Sequence, residues 1–255
     1  EKRLARPMLL TEGSPFNSKD YIFELKFDGI RALAYLEPGQ VDLRNKRNKW
    51  LNPTYPELNG LAHTVQKRCI IDGELVIMSR GKPDFYTLQK RSLLTDPYKI
   101  ERASKRHPVL FIAYDILYVD GKECLRMPLL ERKALLAKTV QEGHGLVLTQ
   151  YIEEQGITLF EQVKARQLEG IIAKKKDSIY QMGIRSKNWL KIKHLKDADF
   201  IICGVIRNET GGIKSLRLAL YDEGQLIDYG SVAMGISRKD EATILQFLEA
   251  NRMDG

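Results

Sequence analysis

The stretch Glu24-Leu25-Lys26-Phe27-Asp28-Gly29-Ile30-Arg31 sets a lysine at the end of an apolar run and follows it with an acid, a glycine and an arginine. Tyr21 to Leu25 has the composition of a short strand, and Phe27-Asp28-Gly29 breaks it. Lys26 then sits at a strand end, where the sheet fixes the backbone and the side chain can face a cleft. Gly29 permits a positive-φ turn or the close approach of a ligand. A lysine used as a nucleophile must lose its proton, and positive neighbours or desolvation lower its pKa. The same eight residues also fit a strand ending in a solvated lysine with Asp-Gly as a hairpin turn. The remainder of the chain separates the two.

Moving outward, residues 1–19 are irregular, and Tyr21–Lys26, Ala32–Leu36 and Val41–Leu43 read as successive strands with a turn at Pro38-Gly39. Arg44-Asn45-Lys46-Arg47-Asn48-Lys49 packs four cations into six positions, which on its own reads as a solvated basic turn. Thr54-Tyr55-Pro56-Glu57 has the form of a capping box and predicts a helix to about Gln66. Cys69–Asp72 and Glu74–Met78 form a strand whose Gly73 predicts a bulge or the close approach of a ligand. Residues 84–106 read as helical and basic, interrupted by Pro97. Val109–Val119 is an apolar strand with one acid, Asp115, which must be paired or face a cleft. Helices are expected at Pro128 to about Glu142 and at Thr158–Gln167, with strands at Leu146–Tyr151 and Ile171–Lys175. In Trp189–Lys193 the alternation places Trp189, Lys191 and Lys193 on one strand face. A solvated edge strand explains the two lysines but not the tryptophan.

The pattern changes after Lys196-Asp197. Phe200–Arg207, Leu216–Tyr221 and Leu226–Val232 are strands separated by Gly211-Gly212 and Glu223-Gly224, and Ser237 caps a helix with Asp240 at its third position. The fold class is therefore α+β: a mixed domain over 1–196 and a small all-β domain over 197–255, matching the outline of an oligonucleotide-binding (OB-fold) barrel. The switch point, Lys196-Asp197, is the expected hinge.

A net charge of +8 on 255 residues favours an acidic partner, nucleic acid above all. Cys69, Cys124 and Cys203 are far apart and His63, His107, His144 and His194 lack ligand spacing, so neither a zinc site nor a disulfide framework is indicated. No run is apolar enough to span a bilayer as a helix.

Five segments, in order, resemble the motifs of the covalent nucleotidyltransferases, specifically ATP-dependent DNA ligases, and most of all the ligase domain of bacterial end-joining ligases. They are Lys26-Phe27-Asp28-Gly29-Ile30-Arg31, Asp72-Gly73-Glu74, Phe111-Ile112-Ala113-Tyr114-Asp115-Ile116-Leu117, Glu169-Gly170-Ile171-Ile172-Ala173-Lys174 and Trp189-Leu190-Lys191-Ile192-Lys193. The resemblance implies an adenylation domain of the nucleotidyltransferase (ATP-grasp-like) kind, built of antiparallel sheets, followed by the OB-fold domain. It implies that Lys26 attacks the α-phosphate of ATP and carries AMP to a 5′ phosphate, where a 3′ hydroxyl displaces it and seals the nick.

The residue roles implied are these. Glu24 contacts the adenine amino group beside Leu25, Arg31 and Glu74 hold the ribose and position the AMP, and Tyr114 stacks on adenine. Lys174, Lys191 and Lys193 neutralise phosphate oxygens, and Arg185 orients the nucleotide. Glu169 binds a catalytic Mg²⁺ or Mn²⁺, with Asp28 and Glu74 as further metal candidates. Arg44 or Arg47 reaches the nucleotide; spacing to Tyr55-Pro56-Glu57-Leu58 favours Arg47. Arg44, Lys46, Lys49, Lys90 and Arg91 contact DNA phosphates. The implied partners are nicked or broken duplex DNA and other end-joining or repair proteins, with a monomer in the bacterial cytosol or nucleoid and no membrane. The resemblance also implies further barrel strands and a basic motif that residues 198–255 do not carry. On that reading the β domain is incomplete, and a 255-residue chain loads Lys26 from ATP poorly while still sealing pre-adenylylated nicks. RNA ligases and mRNA-capping guanylyltransferases share the nucleophile motif, and a non-catalytic DNA-binding module is the reading outside the enzyme class.

Overall fold

The computed structural model describes residues 5–194, 200–222, 225–233 and 237–250. Backbone contacts divide the chain into Glu1–Leu195 and Lys196–Gly255. Lys196-Asp197 and the turn at Glu223-Gly224 lie outside the described residues.

The first unit is built on two sheets. One has the strands β1 (Leu9–Glu12), β2 (Ser18–Lys26), β8 (Tyr151–Glu154), β9 (Gly170–Lys175) and β10 (Arg185–Lys193), in the order β1-β10-β9-β2-β8. The other has β3 (Ile30–Glu37), β4 (Gln40–Asn45), β5 (Cys69–Val76), β6 (Leu110–Val119) and β7 (Leu146–Leu148), in the order β7-β6-β5-β3-β4. Two-residue ribbons pair Met78–Ser79 with Lys82–Pro83 and Lys122–Glu123 with β6. Pairing is antiparallel except at the edges, where β1 runs parallel to β10 and β7 parallel to β6. The expected purely antiparallel sheets are corrected there: both outer strands reach their edge from a distant part of the chain, so no hairpin dictates their direction.

Alternation along the strands sorts the side chains into three cores. Ile22 and Trp189 from the first sheet meet Leu33 and Leu117 from the second, sealing the layer between them with Met8, Leu129 and Tyr180. Phe23, Ile171, Ala173 and Ile192, on the opposite face of the first sheet, pack under Val163 of α4 (Gly156–Ala165). Ala32, Ala34, Ile71, Leu75 and Phe111, on the far face of the second sheet, pack with Leu58, Leu61, Leu88 and Leu136. These last four come from a 3₁₀ helix (Pro56–Thr64), α1 (Phe85–Ser92) and α3 (Leu129–Thr139).

Three local expectations are corrected. Thr54 does not cap an α-helix: the segment is 3₁₀, its N-cap is Tyr55 without a side-chain bond, and Glu57 turns away to pair with Arg91 and to accept from Val109 N at 3.0 Å. The apolar run Leu146–Tyr151 is split between β7 and β8, which belong to different sheets. Pro97 does not kink a helix but begins one, α2 (Pro97–Arg106), with Asp96 as its side-chain cap.

In the second unit β11 (Ile201–Arg207), β12 (Ile213–Asp222) and β13 (Gln225–Val232) form an antiparallel sheet, followed by α5 (Arg238–Ala250). Ser237 and Asp240 form the expected reciprocal cap: the Asp240 amide donates to Ser237 Oγ at 3.1 Å and Ser237 Oγ donates to the Asp240 carboxylate.

Candidate active site

Lys26 is the last residue of β2. Sheet register sets it opposite Gly170 of β9, and Gly170 opposite Lys193 of β10; one step along, Glu24, Ile172 and Lys191 align in the same way. Glu24, Lys26, Lys174, Trp189, Lys191 and Lys193 therefore share the face turned toward the second sheet. Neighbouring strands are about 4.8 Å apart, so Lys193 lies two strands, about 10 Å, from Lys26. Trp189 is fully buried, and β10 is covered by β1, so this is no wet edge.

The second sheet supplies Arg31, Asp72, Glu74 and Tyr114. Glu74 pairs in register with Arg31. Between β5 and β6 the register jumps from Asp72 opposite Asp115 to Gly73 opposite Ala113, leaving Tyr114 as the extra residue of a bulge. Gly73 makes this possible, since a Cβ there would lie 2.5 Å from the Ile112 carbonyl oxygen. Gly29 serves a similar close approach, with a Cβ falling 2.3 Å from the Leu75 carbonyl oxygen, and does not adopt a positive φ. The glycine of the opening stretch thus accommodates the neighbouring strand rather than a ligand.

These residues enclose a cavity of about 170 Å³ lined by Glu24, Leu25, Lys26, Arg31, Glu74, Tyr114, Ile172, Lys174 and Trp189. A second cavity, of about 210 Å³, adjoins it through Lys26 and is lined by Asp28, Met78, Lys82 and Glu169. The Lys26 amine pairs with Glu169 Oε1 between them, while Glu169 Oε2 is buried without a hydrogen-bond partner. Burial raises the Glu169 carboxyl above its ordinary range and Lys26 opposes the rise. Asp28 is raised in the same way.

At the inner end, burial pushes the Glu24 carboxyl up, but Lys133 and Lys174 overcome it and hold the group below its ordinary value. Lys174 Nζ sits 2.7 Å from Glu24 Oε2, 4.5 Å from the centre of the Tyr114 ring and 4.3 Å from that of Trp189. Arg31 forms a bidentate pair with Asp72 at 3.0 and 2.6 Å, and Asp72 also accepts from Tyr180 Oη at 2.6 Å. The Arg31 guanidinium lies 5.3 Å from the Tyr114 ring centre, and Tyr114 Oη donates to Glu74 at 3.3 Å. Burial outweighs Arg31 and Lys26 at Glu74 and raises its pKa from 4.5 to about 8.

Of the residues singled out in the sequence, Glu24, Leu25, Lys26, Arg31, Glu74, Tyr114 and Lys174 line one cavity, with Glu169 and Asp28 in the adjoining one. Lys191 pairs with Glu12 at 2.7 Å and Lys193 is exposed beside it. Arg185 is exposed and donates to the Leu10 carbonyl. Arg47 is exposed in the turn after β4 and does not line the cavity. Two expectations change. Lys174 is not a free phosphate-binding cation, because its amine is buried against Glu24. Arg91 is not a DNA contact, because it is 2% exposed and bound to Glu57, Thr54 O and His107 O. Of the three metal candidates, Glu169 and Asp28 line the outer cavity and Glu74 the inner one, and among the described residues no three His, Cys, Asp or Glu side chains gather. Arg44 pairs with Asp42, whereas Lys46, Lys49 and Lys90 are exposed.

The sequence reading misses Arg132 and Lys133. Arg132 is fully buried, donates to both oxygens of Asp115 at 2.8 and 2.9 Å and reaches the Ser178 carbonyl at 2.8 Å. Lys133 pairs with Glu24 and donates to the Tyr114 carbonyl at 3.0 Å. Leu129, Arg132, Lys133 and Leu136 form one helical stripe at the spacing of a buried face, and that spacing is the signal the sequence offers.

A family model described as ATP dependent DNA ligase domain matches residues 7–193. The chain is 31% identical over 255 residues to the multifunctional non-homologous end joining protein LigD of Mycolicibacterium smegmatis, covering 97% of this chain and 32% of that protein. It is 31% identical over 205 residues to the SPbeta prophage-derived DNA ligase-like protein LigB of Bacillus subtilis, covering 80% and 72%. It thus spans about a third of the mycobacterial relative and most of the Bacillus one. A structure of mycobacterial DNA ligase D complexed with ATP and MES superposes with a TM-score of 0.70 at 29% identity, over 100% of this chain and 81% of that one.

Proposed function

The chain belongs to the ATP-dependent DNA ligase domain family, and on that premise we propose that it joins DNA strands through an AMP carried on Lys26. The observation that carries the reading is the position of the Lys26 amine, at the junction of an inner cavity and an outer one that holds carboxylates. The inner cavity offers what a nucleoside needs. Tyr114 presents a ring face, Glu24 an acceptor for an exocyclic amine, and Arg31 and Glu74 polar contacts for the ribose. The Lys26 nitrogen bonds to the α-phosphorus as the bond to pyrophosphate breaks, and the amine does so only when unprotonated. Its ion pair with Glu169 therefore opens before attack. Lys191 and Lys193 are the cations for the phosphate oxygens, with Arg185 at their rim.

Glu169, with its unpartnered buried oxygen, and Asp28 beside Lys26 suit a hard divalent cation, and Mg²⁺ commonly takes one or two carboxylates plus substrate phosphates. When bound, such an ion supplies charge neutralisation at the phosphates. The second unit, a three-stranded antiparallel sheet followed by a helix, is read as part of an OB-fold barrel that holds the duplex, with exposed Lys46, Lys49 and Lys90 reaching backbone phosphates. Broken DNA in end joining is the substrate context that LigD suggests. Among the described residues no helix is long and apolar enough to cross a membrane.

The test is incubation with α-labelled ATP and Mg²⁺. The wild-type chain acquires an acid-labile, alkali-stable AMP adduct, as a phosphoramidate requires, and Lys26→Ala acquires none. Equal labelling of both removes Lys26 from the role.

A further inference from the structure

Lys133 is a residue for which the nucleotide chemistry has no direct use, yet its amine stands behind the inner cavity against one of the acids that line it. It extends from α3, a helix outside both sheets, and is 8% exposed. It reaches three groups at once: the Glu24 carboxylate, the carbonyl of the bulged residue Tyr114 at 3.0 Å, and the Tyr151 ring, whose centre is 5.5 Å away. Tyr151 is the register partner of Glu24 on β8, so all three groups border one point. Arg132, one residue earlier on the helix, is pinned to Asp115, which fixes where Lys133 enters.

We infer that Lys133 is the positioning residue for base selection: it holds Glu24 as an oriented carboxylate acceptor, so that the site takes an exocyclic amino group and rejects an exocyclic oxygen. This rests on the inner cavity being the nucleoside site. Glu24 is 2% exposed, and its Oε1 pairs with Lys133 and its Oε2 with Lys174, one lysine to an oxygen that can accept two bonds. That leaves an acceptor direction open on a buried carboxylate. An adenine amino group fills it, and a guanine oxygen in the same place meets a like charge. Two lysines are present where one would neutralise the acid. Lys174 approaches from β9 within the sheet, whereas Lys133 ties the acid to the backbone that carries Tyr114. The same side chain therefore sets both the group that reads the edge of the base and the ring that covers its face.

The charged and titratable groups that face Glu24 are Lys133 from α3, Lys174 from β9 and Tyr151 from β8, while Lys26, Arg31, Glu74 and Tyr114 line the same cavity. With both lysines in place Glu24 stays ionised through the neutral range. With Lys133→Met only Lys174 opposes the effect of burial, and a protonated Glu24 presents an O–H that accepts guanine as readily as it loses adenine.

The experiment measures equilibrium binding of ATP, GTP and purine riboside triphosphate, which lacks the amino group, to the full chain between pH 5.5 and 8.5. Wild type prefers ATP to the purine analogue by roughly 10- to 100-fold, the range of a hydrogen bond to a charged group, and the ratio is flat across that pH range. Lys133→Met brings the ratio within about 3-fold and makes it fall further as the pH drops, with GTP binding rising. A ratio that Lys133→Met leaves unchanged, or equal weakening of all three nucleotides, overturns the inference and reduces Lys133 to a structural part. If the variant does not fold, the wild-type profile decides: a flat preference for ATP supports the inference, and one that declines below pH 7 shows that Glu24 is not held ionised. Failure of wild type to bind any triphosphate, by contrast, removes the nucleoside site itself.

Discussion

Replacing Arg132 with methionine strips a fully buried carboxylate of its partner. Asp115 is 0% exposed, and after Arg132→Met its one remaining donor is the Ile116 amide at 2.8 Å. Two hydrogen bonds to Asp115 are lost, and the carbonyls of Met127 and Ser178 each lose their bond to the guanidinium. Breaking a buried ion pair by removing one member costs about 3–5 kcal/mol, most of it the uncompensated charge. Removing the charge as well, in Arg132→Met/Asp115→Leu, leaves the two carbonyls and the Ile116 amide without these bonds, at about 1 kcal/mol each. The double variant is therefore more stable than the single one by up to about 2 kcal/mol. The measurement is urea unfolding followed by Trp189 fluorescence in a Trp50→Phe background. Trp189 is fully buried and donates to Ser178 Oγ at 3.2 Å, next to the carbonyl that Arg132 holds, whereas Trp50 is 53% exposed. A double variant no more stable than the single one would refute the reasoning, because the loss would then reside in packing and not in the stranded carboxylate.

Two further outcomes follow from the site and its surface. Glu74 titrates near 8 in the folded chain against an ordinary 4.5, so the folded state holds its proton more tightly, and this group's contribution to stability is full below pH 4.5 and declines as the pH rises to about 8. Glu74→Gln therefore gains stability relative to wild type between about pH 5 and 8 and levels off above that, in thermal melts across pH; a difference independent of pH contradicts the assignment. On the DNA side, Lys46→Gln/Lys49→Gln/Lys90→Gln lowers the slope of log affinity against log salt for nicked duplex by about 2.7, at about 0.9 for each phosphate no longer neutralised. An unchanged slope places the duplex elsewhere.

The sequence is informative wherever chemistry and strand period coincide. Lys26 at a strand end, an irregularity at Gly73, and Trp189, Lys191 and Lys193 on one face all follow from a period of two and from residues that are costly to bury unexplained. What the sequence does not carry is the identity of ion-pair partners that are distant along the chain. Lys174 stands in a segment suggestive of phosphate binding, but only the register of β9 against β2 brings Glu24 to it and turns it into an internal counter-charge. Arg91 lies in a basic helical run whose neighbours face solvent; its burial depends on Glu57, 34 positions away, and a capping box would employ that acid elsewhere. Asp115, a lone acid in an apolar strand, demands a partner, yet the partner sits on a helix whose apolar stripe contains two cations. A count of apolar residues alone assigns those two to the wet face.

The pairing of Lys26 with Glu169 gives the geometry of the site a direction. A lysine reserved for attack on phosphorus would ordinarily be kept away from carboxylates, since an adjacent anion stabilises the ammonium form that cannot react. Here the anion is itself raised by burial and has a second buried oxygen with no hydrogen bond, so a cation would find an acceptor on Glu169 that the amine does not use. On the proposed reading, a triphosphate entering the two cavities would meet Lys26 and Glu169 together, and the pair would have to part before the amine attacks.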